Sequence, residues 1–170
     1  MGLGFRVRCG AIRMSDPVRD QVISLLRGGN AHVTFEEAVK RIPPKLRGVK
    51  PGGAEHTAWQ LLEHMRIAQS DILEFSRNPK HVSPGWPEGY WPKTAKPPSD
   101  AAWKKSIAAI KKDRDAMVKL INNPKTDLYE KISHGTGQNI LREALLIADH
   151  NAYHLGQLVL LERLLGAWDR

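Results

Sequence analysis

A single cysteine, Cys9, stands in 170 residues, so the chain can form neither an internal disulfide nor a Cys-based metal cluster. Any reactive site must be built from His, carboxylates, hydroxyls or amides. Long apolar runs are also missing: the stretch around Ala144 to Ala148 is far too short to span a membrane. The opening "MGLGFRVRCG" lacks the apolar segment of a secretory signal, and these two absences lead us to expect a cytoplasmic protein with no membrane partner. No segment alternates apolar and polar residues as a half-buried strand does, and no repeat is visible. The net charge is +8, and residues 1–50 carry most of it, with ten Lys and Arg against four Asp and Glu. No clustered recognition helix, aromatic RNA-binding strand or zinc-finger spacing accompanies that charge, so it reads as a solvated surface and not as a nucleic-acid interface.

What remains is a length suited to one domain with a real core and a series of helical signals. Residues 1–13, with Arg6, Arg8 and Arg13 and no periodicity, are expected to be a disordered or non-native extension outside a single domain over 14–170. Asp16 followed by Pro17 opens a helix through "VRDQVISLLR" that Gly28 and Gly29 end. Thr34 and Glu37 form a capping-box pattern for a short accessory helix stopped at Pro43–Pro44. From Glu55 to about Ser76 the apolar residues Ala58, Leu61, Leu62, Met65, Ala68, Ile72 and Phe75 recur at helical spacing. Residues 77–99 form a Pro- and Gly-rich loop whose Trp86, Tyr90 and Trp91 suggest packing on the body. Ser99 or Asp100 caps a third long helix carrying Trp103, Ile107, Ile110, Met117, Leu120 and Ile121. Residues 139–165, after "HGTGQ", form the longest periodic segment and stop at Gly166. The expected fold is all-α, a four-helix bundle with an accessory helix and a long Pro/aromatic-rich loop.

The last helix contains "DHNAYHLGQ". At about 100° per residue, His154, Gln157 and Glu143 all fall within about 40° of His150, on the stripe that holds Leu146, Ile147, Leu158 and Leu161. Buried polar groups there need partners, because an unpaired one costs about 1–3 kcal/mol. His64 supplies one, since it shares a stripe with Leu61, Ala68 and Phe75 on the second long helix. Two histidines four apart with a third from a facing helix can present three nitrogens to one divalent ion and leave positions open for water or substrate. A set of hydrogen-bonded core histidines is the alternative. His56, about 80° from His64 on the helix, and His134, in the Gly-rich loop, are candidates for the site mouth. Tyr90, Trp91 and Trp86 are candidate pocket walls, and Gln157 and Glu143 candidates for orienting a ligand.

Sharper motifs fail. Asn151 stands where a zinc protease of the H-E-x-x-H type needs its general-base Glu. Neither His150 nor His154 has a Glu three residues before it, as a carboxylate di-iron bundle requires. "GTGQN" lacks the lysine and the strand-loop-helix context of a phosphate-binding loop.

The segments "AEHTAWQLLEHMRIAQSDILEF", "SPGWPEGYWP" and "LREALLIADHNAYHLGQLVLLERLLGAW" resemble the DinB-like (DinB/YfiT) superfamily of metalloenzymes, over about Asp16 to Trp168. The resemblance implies a four-helix bundle, His64, His150 and His154 as ligands of nickel, zinc or iron, and frequent homodimerisation. Characterised relatives include thiol-dependent S-transferases and a mycothiol-dependent isomerase. The expectation is therefore a metal-dependent hydrolase or thiol-dependent S-transferase acting on a small-molecule substrate, a thiol among the candidates. A non-catalytic metal-binding, ligand-binding or stress-response protein is the second reading, and a nucleic-acid-associated protein a third and weaker one.

Overall fold

A computed structural model describes residues 16–168; the expected extension at residues 1–13 lies outside them. The described residues form five α-helices, α1 (Pro17–Arg27), α2 (Phe35–Arg41), α3 (Ala58–Arg77), α4 (Asp100–Asn122) and α5 (Ile140–Leu164). Short 3-10 turns sit at Pro44–Leu46 and Glu88–Tyr90. Among the described residues there is no strand, only one antiparallel bridge between Lys131 and Asn139 at the base of the Gly-rich loop. The chain is all-α, and no helix among the described residues is long and apolar enough to cross a membrane.

Local chemistry accounts for the helix ends. The Asp16 carboxylate accepts from the Val18 and Arg19 backbone N–H groups at 3.1 and 3.4 Å, and Pro17 follows at a position where no N–H is needed. Gly28 then leaves α1 at φ 74°, a left-handed conformation that glycine adopts without a side-chain clash. Sequence periodicity begins α3 at Glu55, whereas the structure begins it at Ala58. The reason is a reciprocal capping box, in which Thr57 accepts from the Gln60 N–H and Gln60 accepts from the Thr57 N–H. Ser99 and Asn139 cap α4 and α5 through the Ala102 and Arg142 N–H groups.

α1 and α3 each pack against both α4 and α5, and α2 leans on α5. Burial divides into two apolar clusters. One joins α1 to the C-terminal halves of α3 and α4 and the start of α5, through residues such as Leu26, Leu73, Ile121 and Ile147. The other joins α2 to the N-terminal halves of α3 and α4 and the end of α5, through Val39, Leu62, Trp103 and Leu158. Between Ala148 and Leu158 on α5 the apolar stripe is broken by His150, Asn151 and His154. That break is where polar groups enter the helical body.

The loop between α3 and α4 is fastened to α3 along its length. The Tyr90 hydroxyl donates to one oxygen of Asp71 and the His81 Nε2–H to the other, each at 2.7 Å. Nearer the start of α3, Trp59 Nε1–H donates to Thr94 Oγ1 at 3.1 Å and the Thr57 hydroxyl donates to the Ala95 carbonyl at 2.6 Å. Gly48 permits this seating: a Cβ there would lie 3.0 Å from the Lys96 Cα, too close for an unshifted backbone.

Candidate metal centre

Three imidazoles converge at the break in the core. His64 comes from α3, and His150 and His154 from successive turns of α5. One nitrogen from each lies within 4.8 Å of the others. His64 and His154 are 4 % and 6 % exposed, so neither ring is hydrated as a surface histidine would be.

The outer nitrogens determine what the inner ones offer. His64 Nδ1–H donates to the Tyr90 backbone carbonyl at 2.9 Å, leaving Nε2 as a lone pair. His154 Nδ1–H donates to Gln157 Oε1 at 2.8 Å, with the same consequence for its Nε2. Such partners are what orient metal-bound histidines and select their tautomer. His150 differs: its Nε2 lies 3.0 Å from His64 Nε2, and its buried Nδ1, next to the Asn151 side chain, makes no well-formed hydrogen bond among the described residues. If its proton is on Nε2 it can donate to His64, but Nδ1 is then a stranded acceptor. If the proton is on Nδ1 it has only the poorly aligned Asn151 side chain beside it, and two Nε2 lone pairs face each other. A cation shared by the Nε2 atoms turns that lone-pair contact into ligation. A nitrogen pair 3.0 Å apart and a third nitrogen within 4.8 Å of both form a donor set that could hold a divalent ion.

Electrostatics agrees with the geometry. Burial lowers the pKa of all three rings, aided by neighbouring imidazoles, which are His154 and His64 for His150, His64 and His56 for His154, and His56 for His64; His150 is pushed down to about 4, and for His64 and His154 the direction is the same. All three are neutral near pH 7, the protonation state that ligates metal.

Around the cluster stands an aromatic wall. The Trp91 indole stacks on His64 at 3.9 Å with an interplanar angle of 3°, and also stacks on His56 at 3.9 Å. His56 thus touches the support of the cluster and is not one of the three converging ligands. Tyr90 contributes its carbonyl to His64, while its hydroxyl, pushed up to about 12 by burial and the Asp71 bond, stays a donor to that carboxylate. Trp86, 76 % exposed, turns to solvent instead of walling the site.

Two sequence candidates lie elsewhere. Glu143 is buried but pairs with Arg142 Nη1 at 2.6 Å, about 10 Å along the helix from His150. His134 Nε2–H donates to the Phe75 carbonyl at 2.7 Å, eleven residues and thus about 16 Å of helix rise beyond His64. Conversely, sequence reasoning passed over the pair formed by the half-buried Asn151 and the buried Gln69, where the Asn151 amide donates to Gln69 Oε1 at 2.7 Å. Gln69 also donates to the Ile110 carbonyl at 2.7 Å and so ties α3, α4 and α5 together next to the histidines. An interruption of the apolar stripe at Gln69 was the available signal.

Fold and site together define a class: an all-α protein with a three-histidine cluster able to hold a metal ion. The chain belongs to the DinB superfamily, whose family model matches residues 18–158. Comparison with curated proteins and with solved structures finds no match.

Proposed function

We propose that the chain is a metal-dependent enzyme of the hydrolase or thiol S-transferase kind, with His64, His150 and His154 holding one divalent ion of nickel, zinc or iron. The observation that carries this reading is the convergence of three neutral imidazoles, the buried His64 and His154 and the half-buried His150, two of them fixed from behind by Tyr90 and Gln157. A bound divalent ion supplies Lewis acidity, lowering the pKa of a coordinated water or thiol toward neutrality. The protein's own part is to orient the ligands, to keep them unprotonated, and to shield the cluster on one side with the Trp91 indole. A donor set of three neutral rings leaves the ion's full charge available to polarise a nucleophile. The proposal takes the protein to be cytoplasmic and homodimeric, with the exposed Leu145 and Tyr153 on α5 as apolar surface for self-association.

Loading the purified chain with Co²⁺ and titrating it with small thiols tests the reading. A thiolate-to-metal charge-transfer band is the expected result, and absence of any spectral response to thiol or to pH contradicts nucleophile activation at this site. Gln157→Leu removes the acceptor behind His154, and its affinity for a divalent ion is expected to fall about tenfold to a hundredfold, as read by competition with a chelator of known affinity.

A further inference from the structure

Asn151 directly follows His150, at the position where a zinc protease carries its general base, and its side chain is oriented by a chain of amides. The Ile110 main-chain carbonyl accepts hydrogen bonds and cannot donate them, so the Gln69 atom that meets it at 2.7 Å is the Nε2 amide. Gln69 Oε1 therefore faces Asn151 and takes its Nδ2 amide, also at 2.7 Å. Gln69 is 1 % exposed and cannot flip its amide without setting its own oxygen against the Ile110 oxygen. The orientation of Asn151 follows: Nδ2 is engaged by Gln69, and Oδ1 is left as an acceptor. Oδ1 is buried, as is Nδ1 of the neighbouring His150, and neither makes a well-formed hydrogen bond among the described residues. The two atoms are complementary, one an acceptor and the other a donor when it carries the ring proton. The Asn151 side chain also opposes the burial that lowers the His150 pKa, as an acceptor beside that ring does. A cavity of about 70 Å³ bordered by Gln69, Ile110 and Asn151 leaves the amide room to align.

We propose that Asn151 is the positioning residue of His150: its Oδ1 accepts the His150 Nδ1–H in the metal-loaded chain, and Gln69, held by Ile110, keeps that oxygen available to the ring; the inference rests on the metal-dependent reading above. Each outer nitrogen of the cluster then meets an amide oxygen, the Tyr90 carbonyl behind His64, Gln157 Oε1 behind His154 and Asn151 Oδ1 behind His150. With its proton fixed on Nδ1, His150 offers the Nε2 lone pair to the ion. All three supports are neutral and add no negative charge to offset that of the ion. The competing arrangement, in which a water in the cavity satisfies Oδ1 instead, leaves the His150 Nδ1–H without this acceptor.

The test combines magnetic resonance of the zinc-loaded full chain, with isotope-labelled histidine, and zinc competition against a chelator of known affinity. In the wild type the Nδ1–H signal of His150 is expected to persist against solvent exchange beside those of His64 and His154. The double variant Gln69→Leu/Asn151→Leu removes the acceptor together with the group that orients it. Replacing both partners of a buried hydrogen bond by apolar side chains costs little, and the Ile110 carbonyl lies inside α4, where the helix ladder supplies a donor. In this variant zinc affinity is expected to fall about tenfold to a hundredfold. The His150 Nδ1–H signal should be lost to exchange while those of His64 and His154 remain, and these two also report that the variant folds. A wild-type His150 Nδ1–H that exchanges rapidly while the other two persist overturns the proposal without recourse to a variant and leaves the three-ligand reading intact. Unchanged zinc affinity in the double variant does the same. A wild type that binds no zinc, nickel or iron overturns the metal reading and, with it, the role given to Asn151.

Discussion

His150→Ala is expected to weaken divalent-metal binding by about a hundredfold to a thousandfold while leaving the stability of the metal-free chain nearly unchanged. Structural zinc sites gain about 10–16 kcal/mol from four ligands, or roughly 2.5–4 kcal/mol per ligand, and each 1.4 kcal/mol is a factor of ten. The stability half follows from the ring's surroundings. Among the described residues its buried Nδ1 makes no well-formed hydrogen bond, and its Nε2 meets another imidazole nitrogen at 3.0 Å, so without metal the side chain is held in a place that costs polar solvation. Truncation loses packing and relieves that cost together. Isothermal titration with metal and urea denaturation without it separate the two effects. A large loss of metal-free stability would show that His150 is a structural core histidine, and unchanged metal affinity would remove it from the ligand set.

Glu162→Gln is expected to stabilise the chain by up to about 3 kcal/mol at pH 8 and to change little at pH 4.5. Glu162 is 1 % exposed, and neither carboxylate oxygen has a hydrogen-bond partner among the described residues. Burial raises its pKa from 4.5 to about 7, against the opposing pull of Arg41 and Arg163. Below pH 4.5 the carboxyl is protonated in both folded and unfolded chains, and no penalty applies. Between pH 4.5 and 7 the unfolded chain releases this proton first, so folding stability declines as pH rises and the loss is complete above the folded pKa. Glutamine keeps the shape and cannot ionise. The difference between variant and wild type in urea-unfolding free energy should therefore grow across that window and then level off. Taking the difference cancels the other titrating groups, and parallel pH profiles for the two chains would refute the assignment.

The core and the cluster were legible in the sequence because both follow helical phase. His150 and His154 are one turn apart on a leucine stripe, and His64 interrupts another, so periodicity alone aims the three inward. Phase also misled: Glu143 has the inward phase of His150, yet it is satisfied by its neighbour Arg142 a long way down the helix. Contacts that cross irregular backbone left no such trace. The Tyr90 carbonyl behind His64 is a main-chain atom, which no residue type announces. Asp71 clasps Tyr90 and His81 across 19 and 10 residues of a loop whose path the sequence does not dictate. Trp86 and Trp91 looked alike as loop aromatics, and only the path of that loop sends one to solvent and the other onto two imidazoles. Glu162, between Leu161 and Arg163, reads as an ordinary helix carboxylate until its burial near Arg41 of α2 is seen.

The most direct test of the metal centre is elemental analysis of the purified protein, wild type beside His64→Ala and His154→Ala, after equilibration with divalent metal and removal of the excess. The account predicts about one ion per chain in the wild type and almost none in either variant, since each loses one of only three ligands. Equal occupancy in all three proteins would contradict it.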